Sequence, residues 1–331
     1  MNALRLGVDA FNLAADRRGM GRFVRTMLER LERSGDVEVV HILRQADGSA
    51  VTPRDLPALR LDAVWYPWNG MRFVPHAPSI VTIYDPFAFM YPHRNLVARW
   101  REQTPIRRAI RRADCIFTVS HWTAQELQRL FGTPVDRLRT VPPGVEPFWH
   151  PVSAHAHAPY MLFVAGPEPR KNAALLFEAY DAAFAQGGPN LVVAGALSAD
   201  DEARFEAMHA PRQRVRPSDE ELRELYSGAL AALVPSLAEG FGLPVIEAMA
   251  CGAPVLASDA TALPEAADGA AQMLPPRAAR PWKEALERVA SDAALRAGMR
   301  KRGFERVQRL DAQAPATALI ESVRRLREDA R

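Results

Sequence analysis

The chain has 331 residues, 48% of them apolar, with 42 basic side chains against 39 acidic ones. That is more than one ordinary core holds, so two domains are expected, while a net charge of +3 is too small to point to nucleic acid. The only cysteines, Cys115 and Cys251, lie far apart outside any CxxC or His-rich spacing; this fits a reducing compartment, argues against structural zinc and reads both as small buried residues.

Short runs of branched apolar residues recur, most of them followed by a segment of helical period. The chain opens directly on a strand, Leu4 to Asp9, with no long apolar leader before it. A helix over Gly21 to Glu32 follows, then strands over Val37 to Leu43, Ala63 to Tyr66 and Ile80 to Tyr84. Helices over Asn95 to Arg112 and Thr123 to Phe131 bracket a strand at Cys115 to Val119, and another strand covers Leu138 to Val141. GVEPFWHPVSAHAHAPY, Gly144 to Tyr160, lacks periodicity and marks the domain boundary. Its histidines, His150, His155 and His157, have no cysteine ligand nearby and read as linker. Beyond it, strands are expected at Met161 to Ala165, Leu191 to Ala194, Ala231 to Pro235, Pro254 to Ala257 and Ala271 to Leu274. Helices between them cover Asn172 to Ala185, Asp219 to Ser227, Val245 to Cys251 and Trp282 to Ala290.

This alternation predicts an α/β chain of two doubly wound parallel sheets, each covered on both faces. The expected division is residues 1–148 for an N-terminal domain, 149–159 for a linker and 160–312 for a C-terminal domain. Residues 313–331, with the amphipathic TALIESVRRLRED, form a last helix free to dock on either half, including back on the N-terminal domain. No apolar run approaches the roughly 20 residues of a membrane-spanning helix, so a soluble or at most peripheral protein is expected.

Open α/β sheets bind ligands beyond the carboxyl ends of their strands, so the chemistry is expected in those loops, around a shared cleft. FVAGPEPRKNAALLFEAY leaves its strand at Gly166 and sets Arg170 and Lys171 just before a helix, with Asn172 as N-cap. A helix N-terminus beside two cations suits phosphate; an ordinary turn with solvated basic residues is the alternative. In PSLAEGFGLPVIEAMACG, Gly240 and Gly242 admit a ligand close to the backbone, amides around Phe241 to Val245 point at it, and Pro244 stands where the helix begins. Glu247, one turn in, leans back toward the loop that Glu239 borders. Carboxylates accept paired hydrogen bonds from vicinal hydroxyls, so phosphate at the helix end and hydroxyls at both glutamates describe a nucleotide sugar. A backbone-capping Glu239 and a solvated Glu247 are an equally weighted alternative.

Three other stretches carry weaker signals. AADRRGMGRFVRTML sets Gly19 and Gly21 before a helix, but the third glycine of a dinucleotide fingerprint is missing and the loop stands too far past its strand; a flexible rim of the cleft is the better reading. IVTIYDPFAFMYP ends a strand in Tyr84 and Asp85, either substrate contacts or, for Asp85 before Pro86, a turn initiator. HRNLVARWREQTPIRRAIRRAD, residues 93–114, carries seven arginines against Glu102 and Asp114. It is either a solvated face, the commoner case, or a surface for an anionic membrane or a lipid-linked phosphate.

Together these motifs resemble the retaining nucleotide-sugar glycosyltransferases of the GT-B fold, the group 1 glycosyltransferases. PSLAEGFGLPVIEAMACGAPVLASDATALPEAADGAA is similar to that family's most specific block, and GPEPRKN resembles its diphosphate-binding turn. ADCIFTVSHWTAQEL and LRTVPPGVE resemble the end of its N-terminal domain. GMGRFVRTMLERL is similar to the start of bacterial members that build mannose- or rhamnose-containing surface polysaccharides.

The resemblance implies two Rossmann-like domains, the N-terminal one for the acceptor and the C-terminal one for the donor. It implies that Glu239 and the backbone of Gly240, Phe241, Gly242 and Leu243 hold the donor hexose, that Glu247 holds the ribose, and that Arg170 and Lys171 neutralise the departing diphosphate. Arg170, Lys171 and Glu239 are then the catalytic candidates; Gly166, Gly19 and Gly21 border the donor, and Tyr84 and Asp85 meet a sugar or the acceptor. The implied activity is retaining, metal-independent transfer of a hexose from a GDP- or UDP-linked sugar, GDP-mannose being one candidate, to a lipid-linked or polysaccharide hydroxyl in bacterial surface glycan (lipopolysaccharide) synthesis. No cofactor is implied, and no Asp-x-Asp occurs to clamp a metal on the diphosphate. The expected place is the cytoplasm, with peripheral contact to the anionic inner membrane through residues 93–114. Two departures stand out: many members have His-Asp where this chain has Tyr84-Asp85, and QRVRPSDEEL, Gln213 to Leu222, looks shortened where relatives carry a strand and glycine turn beside the base. The competing readings are a noncatalytic nucleotide-sugar-binding protein derived from this fold and a nicotinamide oxidoreductase.

Overall fold

The computed structural model describes residues 3–16, 19–42, 54–153 and 158–329. The chain divides into two compact units, Met1–Gly144 with Asp311–Arg331, and Val145–Leu310. The first unit runs β1 (Leu4–Asp9), α1 (Gly19–Ser34), β2 (Val37–Ile42), β3 (Ala63–Tyr66), β4 (Ser79–Ile83), α2 (Phe87–Met90), α3 (Leu96–Arg112), β5 (Cys115–Thr118), α4 (His121–Phe131) and β6 (Leu138–Thr140). Its strands pair in parallel in the order β2-β1-β3-β4-β5-β6. β3, β4 and β5 are buried at every position, which is why they read as mostly apolar runs without polar alternation: helices cover both faces. Leu6, Val8, Trp65 and Phe117 pack one face against α1, and Val64, Val81, Ile83 and Ile116 pack the other against α3 and α4.

The second unit runs β7 (Tyr160–Val164), α5 (Ala173–Phe184), β8 (Asn190–Ala194), α6 (Ala199–Ala207), β9 (Arg212–Val215), α7 (Asp219–Gly228), β10 (Ala232–Val234), α8 (Leu243–Ala250), β11 (Val255–Ser258), α9 (Leu263–Ala267), β12 (Gln272–Leu274), α10 (Ala279–Ser291) and α11 (Ala293–Gln308). Its parallel sheet has the order β12-β11-β10-β7-β8-β9. Trp149 from the boundary segment packs edge-on against Tyr226 in this unit's core. The last helix, α12 (Ala314–Asp329), joins the first unit, where Ala316, Leu319, Ile320 and Val323 enter the α1 side of the core and Arg139 bonds Ser322 and Glu321.

Every strand and helix expected from the sequence is present with its ends moved by a few residues; Leu43, the expected end of the second strand, lies outside the described residues. α2, α6, β9, α9 and α11 have no counterpart among the expected elements. β9 also corrects the view of Gln213 to Leu222 as lacking a strand: Arg212–Val215 forms the sheet edge, and α7 follows under a capping box of Ser218 and Glu221. No helix of the described residues is long and apolar enough to cross a membrane.

In each sheet the strand order reverses once, between β1 and β3 in the first and between β7 and β10 in the second. Open parallel sheets take their ligands outside the carboxyl ends at such a reversal, so each unit has one place to look.

Candidate functional site

At the β7/β10 reversal, the loops after four strands are tied together. Arg170 O accepts from Leu237 N at 2.7 Å. Asn172 Nδ2 donates to Pro235 O and to Pro276 O, each at 2.9 Å. Thr261 Oγ1 accepts from Glu239 N at 2.9 Å and donates to Glu239 O at 3.1 Å. The loops after β7, β10, β11 and β12 are therefore one framework. Asn172 does stand at the start of α5, but in the left-handed region at φ 58° and without a side-chain cap. Its amide is used on the neighbouring loops, which replaces the capping role expected of it.

Glu239 is the hub of this framework. Its Oε1 accepts from Lys171 Nζ at 2.8 Å and from Ser236 Oγ at 2.8 Å, and its Oε2 accepts from Arg170 Nη1 at 3.0 Å. The side chain is 11% exposed, against 14% for Lys171 and 25% for Arg170. Burial pushes the carboxyl upward, but Lys171 and Arg170 outweigh it and hold Glu239 below the usual carboxylate range. Two cations against one carboxylate leave the cluster net positive, at the place in the sheet where an anion fits.

The next turn is set by Gly242. Its φ of 119° lies in the left-handed region, and a Cβ there would stand 3.0 Å from Leu263 Cδ2 and 3.2 Å from Ala266 Cβ, so only glycine opens α8 this way. Phe241 is buried, while Gly240 and Leu243 are half-buried. Glu247 is buried on α8; burial and then its charge push the Cys251 thiol up to about 12. Gly166 faces the Glu168 carboxylate, the flexible end of a side chain. Arg170, Lys171 and Glu239 are thus in direct contact, with Gly240 to Leu243 and Glu247 following in the same unit. Gly19, Gly21, Tyr84 and Asp85 belong to the other unit.

At the β1/β3 reversal of the first unit, Asp9 ends β1 and Tyr66 ends β3, both fully buried. Asp9 Oδ1 accepts from Phe11 N at 3.3 Å, while Asp9 Oδ2 and the Tyr66 hydroxyl have no partner among the described residues. Burial raises the Asp9 carboxyl to about 6, against the smaller opposing pulls of the Phe11 amide and the Arg72 guanidinium. Arg72 lies 3.0 Å over the Phe11 ring, and Trp68 Nε1 donates to Asp9 O at 2.5 Å. Tyr84 is nearby in the chain order of the sheet: its amide bonds Asn69 Oδ1 at 2.9 Å and its carbonyl accepts from Thr123 Oγ1 at 3.0 Å. The Tyr84 hydroxyl is enclosed without a partner among the described residues, and burial, with Asp16 adding to it, raises its pKa. Asp85 Oδ1 accepts from Phe87 N at 3.0 Å, the bond of a turn initiator.

Gly21 has a packing reason of its own. A Cβ there would stand 1.9 Å from Asp16 O, so the loop after β1 lies on α1 only because that position is glycine. Gly21→Ala is expected to cost roughly 1–3 kcal/mol by overpacking, read from chemical denaturation of the purified chain. His150 Nδ1 lies 3.1 Å from Pro147 O, while His155 and His157 lie outside the described residues. Cys115 and Cys251 are buried and free.

Several of these residues escaped the sequence reading. Ser236 and Thr261 work through Glu239, and Thr261 stands 22 positions beyond it, too far for any local pattern. Asp9 did carry a signal: a carboxylate that follows directly on the buried apolar run Leu6, Gly7 and Val8.

Two doubly wound units, the second with Arg170 and Lys171 gathered on Glu239 at its strand-order reversal, define an α/β protein. Residues 146–306 match the family described as Glycosyl transferases group 1, and residues 52–147 match Glycosyltransferase Family 4. Residues 146–306 are therefore a domain of the group 1 glycosyltransferases. It is 30% identical over 224 residues to O-antigen chain mannosyltransferase B of Escherichia coli, a match covering 60% of this chain and 58% of that protein. The chain spans little more than half the length of the curated relatives it matches. Among solved structures, sucrose-phosphate synthase from Thermosynechococcus elongatus has a TM-score of 0.72 at 21% identity, over 99% of this chain and 100% of that one. Anabaena Alr3699/HepE, in complex with UDP and glucose, has a TM-score of 0.71 at 14% identity, over 97% of this chain and 99% of that one. These likenesses establish the GT-B fold.

Proposed function

We propose that the chain is a retaining, metal-independent hexosyltransferase. Its donor is a nucleoside-diphosphate sugar, GDP-mannose in the leading case, and its acceptor is a lipid-linked or polysaccharide hydroxyl in bacterial surface glycan synthesis. The observation that carries this reading is the contact of Arg170 and Lys171 with Glu239 at the β7/β10 reversal. Support for the donor class comes from the Anabaena neighbour held with UDP and glucose, and for the sugar from the O-antigen mannosyltransferase relative.

In this reading Arg170 and Lys171 turn from Glu239 to the donor diphosphate, Gly240 to Leu243 offer backbone to the hexose, and Glu247 takes the ribose hydroxyls. The acceptor oxygen bonds to the anomeric carbon on the face from which the phosphate oxygen leaves, and the acceptor proton passes to that phosphate. Negative charge grows on the leaving group, so cations fixed beforehand stabilise the transition state more than the ground state. The first unit receives the acceptor near Tyr84, and residues 93–114 bring the protein to the cytoplasmic face of the membrane.

Thermal shift with UDP, GDP, ADP and TDP and their hexose conjugates tests the donor side. One base series is expected to stabilise the fold, by about 2.7 kcal/mol for a ligand at 100 times its Kd. A chain that responds to none of them, and hydrolyses none of the conjugates, is not a nucleotide-sugar enzyme.

A further inference from the structure

The arginine-rich segment is not one uniform surface. In α3 the buried side chains begin only at Gln103, followed by Ile106, Ala109 and Ile110. The two turns before Gln103 support no core, yet they are built as helix: Asn95 Oδ1 accepts from Val97 N at 2.9 Å and from Ala98 N at 3.1 Å. Among the described residues six large apolar side chains are exposed, and four of them, Tyr91, Leu96, Val97 and Trp100, fall in this one short stretch. Leu96, Val97 and Trp100 share one side of the helix by their i,i+3 and i,i+4 spacing, with Arg99 flanking that stripe on one edge and Arg101 on the other.

The two halves of the segment also use their arginines differently. Arg107 stacks on Phe89 at 4.9 Å, and Arg108 donates to the carbonyls of Met71 and Arg72, so both are engaged in the fold. The side chains of Arg94, Arg99 and Arg101 form no ion pair or hydrogen bond with any described residue. Trp100 and Arg101 line a groove of about 790 Å³ that leads back to Trp68 and Arg72 at the β1/β3 reversal.

We infer that residues 91–101 are a wedge that seats the first unit on an anionic lipid surface, with Leu96, Val97 and Trp100 entering the headgroup boundary and Arg94, Arg99 and Arg101 against lipid phosphates. This deepens, and rests on, the membrane-side reading given above: it moves the contact from the whole basic segment to its unsupported half. An apolar stripe edged by unpaired cations is the pattern of an interfacial helix. A second copy is the poorer occupant, because a two-fold contact would set the same arginines against each other. The groove then opens at the headgroup layer, where the head of a lipid-linked acceptor lies.

Co-sedimentation of the full chain with phosphatidylcholine vesicles, with and without phosphatidylglycerol, tests this. Binding is expected only with phosphatidylglycerol. Leu96→Ser/Val97→Ser is expected to weaken it about tenfold or more through lost apolar insertion, with thermal stability and nucleotide response unchanged because both side chains are exposed. Arg94→Glu/Arg99→Glu/Arg101→Glu is expected to abolish it. Wild-type binding by the serine variant, together with loss in the arginine variant, overturns the wedge and leaves the electrostatic membrane reading standing. No binding by the wild type overturns both and leaves the donor reading untouched. Concentration-dependent dimerisation that the serine variant removes overturns the wedge in favour of a second copy.

Discussion

Lys171→Ala is expected to lower kcat/KM for nucleotide-sugar turnover by about 10²–10³-fold and to weaken nucleoside diphosphate binding with it. Glu239→Gln is expected to lower turnover by about 10²-fold while leaving nucleoside diphosphate affinity equal or higher. The contrast follows from the cluster itself. Glu239 occupies both cations at hydrogen-bond distance, so under the proposed function an incoming diphosphate displaces the carboxylate from the partners it already has. Removing the carboxylate charge removes a competitor for those cations, whereas removing Lys171 removes one of the two groups the diphosphate needs. Glutamine keeps the size of the side chain and its bond to Ser236 Oγ. In the alanine variant, Arg170 and Ser236 still satisfy Glu239, so that variant leaves no buried carboxylate wholly unpaired. Isothermal titration of the matching nucleoside diphosphate beside steady-state turnover separates the two effects. Equal loss of diphosphate affinity in both variants would mean that Glu239 organises the cations without competing for them.

How far this arrangement could be read in advance depended on whether the signal was local. The two sheets were legible because parallel strands buried on both faces, such as Ser79–Ile83 and Cys115–Thr118, leave short, mostly apolar runs without polar alternation. Arg170, Lys171, Glu239 and Gly242 were legible because each sits in a loop next to a strand end, with glycine or proline marking the turn. β9 was missed because a sheet edge of Arg212–Val215 needs no apolar alternation. α11 was missed because its sequence spreads apolar and basic residues around the whole helix, with only Met299 and Gly303 buried. The ion pairs to Glu239 span 68 and 69 positions, and no spacing rule reaches that far. The sequence reading gave the cations to phosphate and the carboxylate to hexose; in the fold the three side chains are in direct contact.

The second large effect belongs to the first unit. Stability of the wild-type chain is expected to fall as pH rises from about 4 to about 6 through Asp9, and Asp9→Asn is expected to abolish that fall. Asp9 is fully buried, and its carboxyl is raised from 3.8 to about 6. A raised carboxyl keeps its proton in the folded chain after the unfolded chain has lost it, so the folded state binds more protons through this window and stability declines with pH. The shift of about two units, at about 1.4 kcal/mol each, corresponds to roughly 3 kcal/mol by neutral pH. The physical cause is visible: burial opposes the charge, Phe11 supplies one amide at 3.3 Å, Arg72 is spread over a ring, and Oδ2 has no partner among the described residues. Asparagine can keep the Phe11 bond and carries no charge to bury, so Asp9→Asn is expected to be more stable than wild type by about 2 kcal/mol at pH 7. At pH 4, where the wild-type carboxyl is itself neutral, the two are expected to be nearly equal. Urea denaturation of both proteins at pH 4, 5, 6 and 7 reads the difference directly, and parallel curves for the two would show that Asp9 is not the group that titrates.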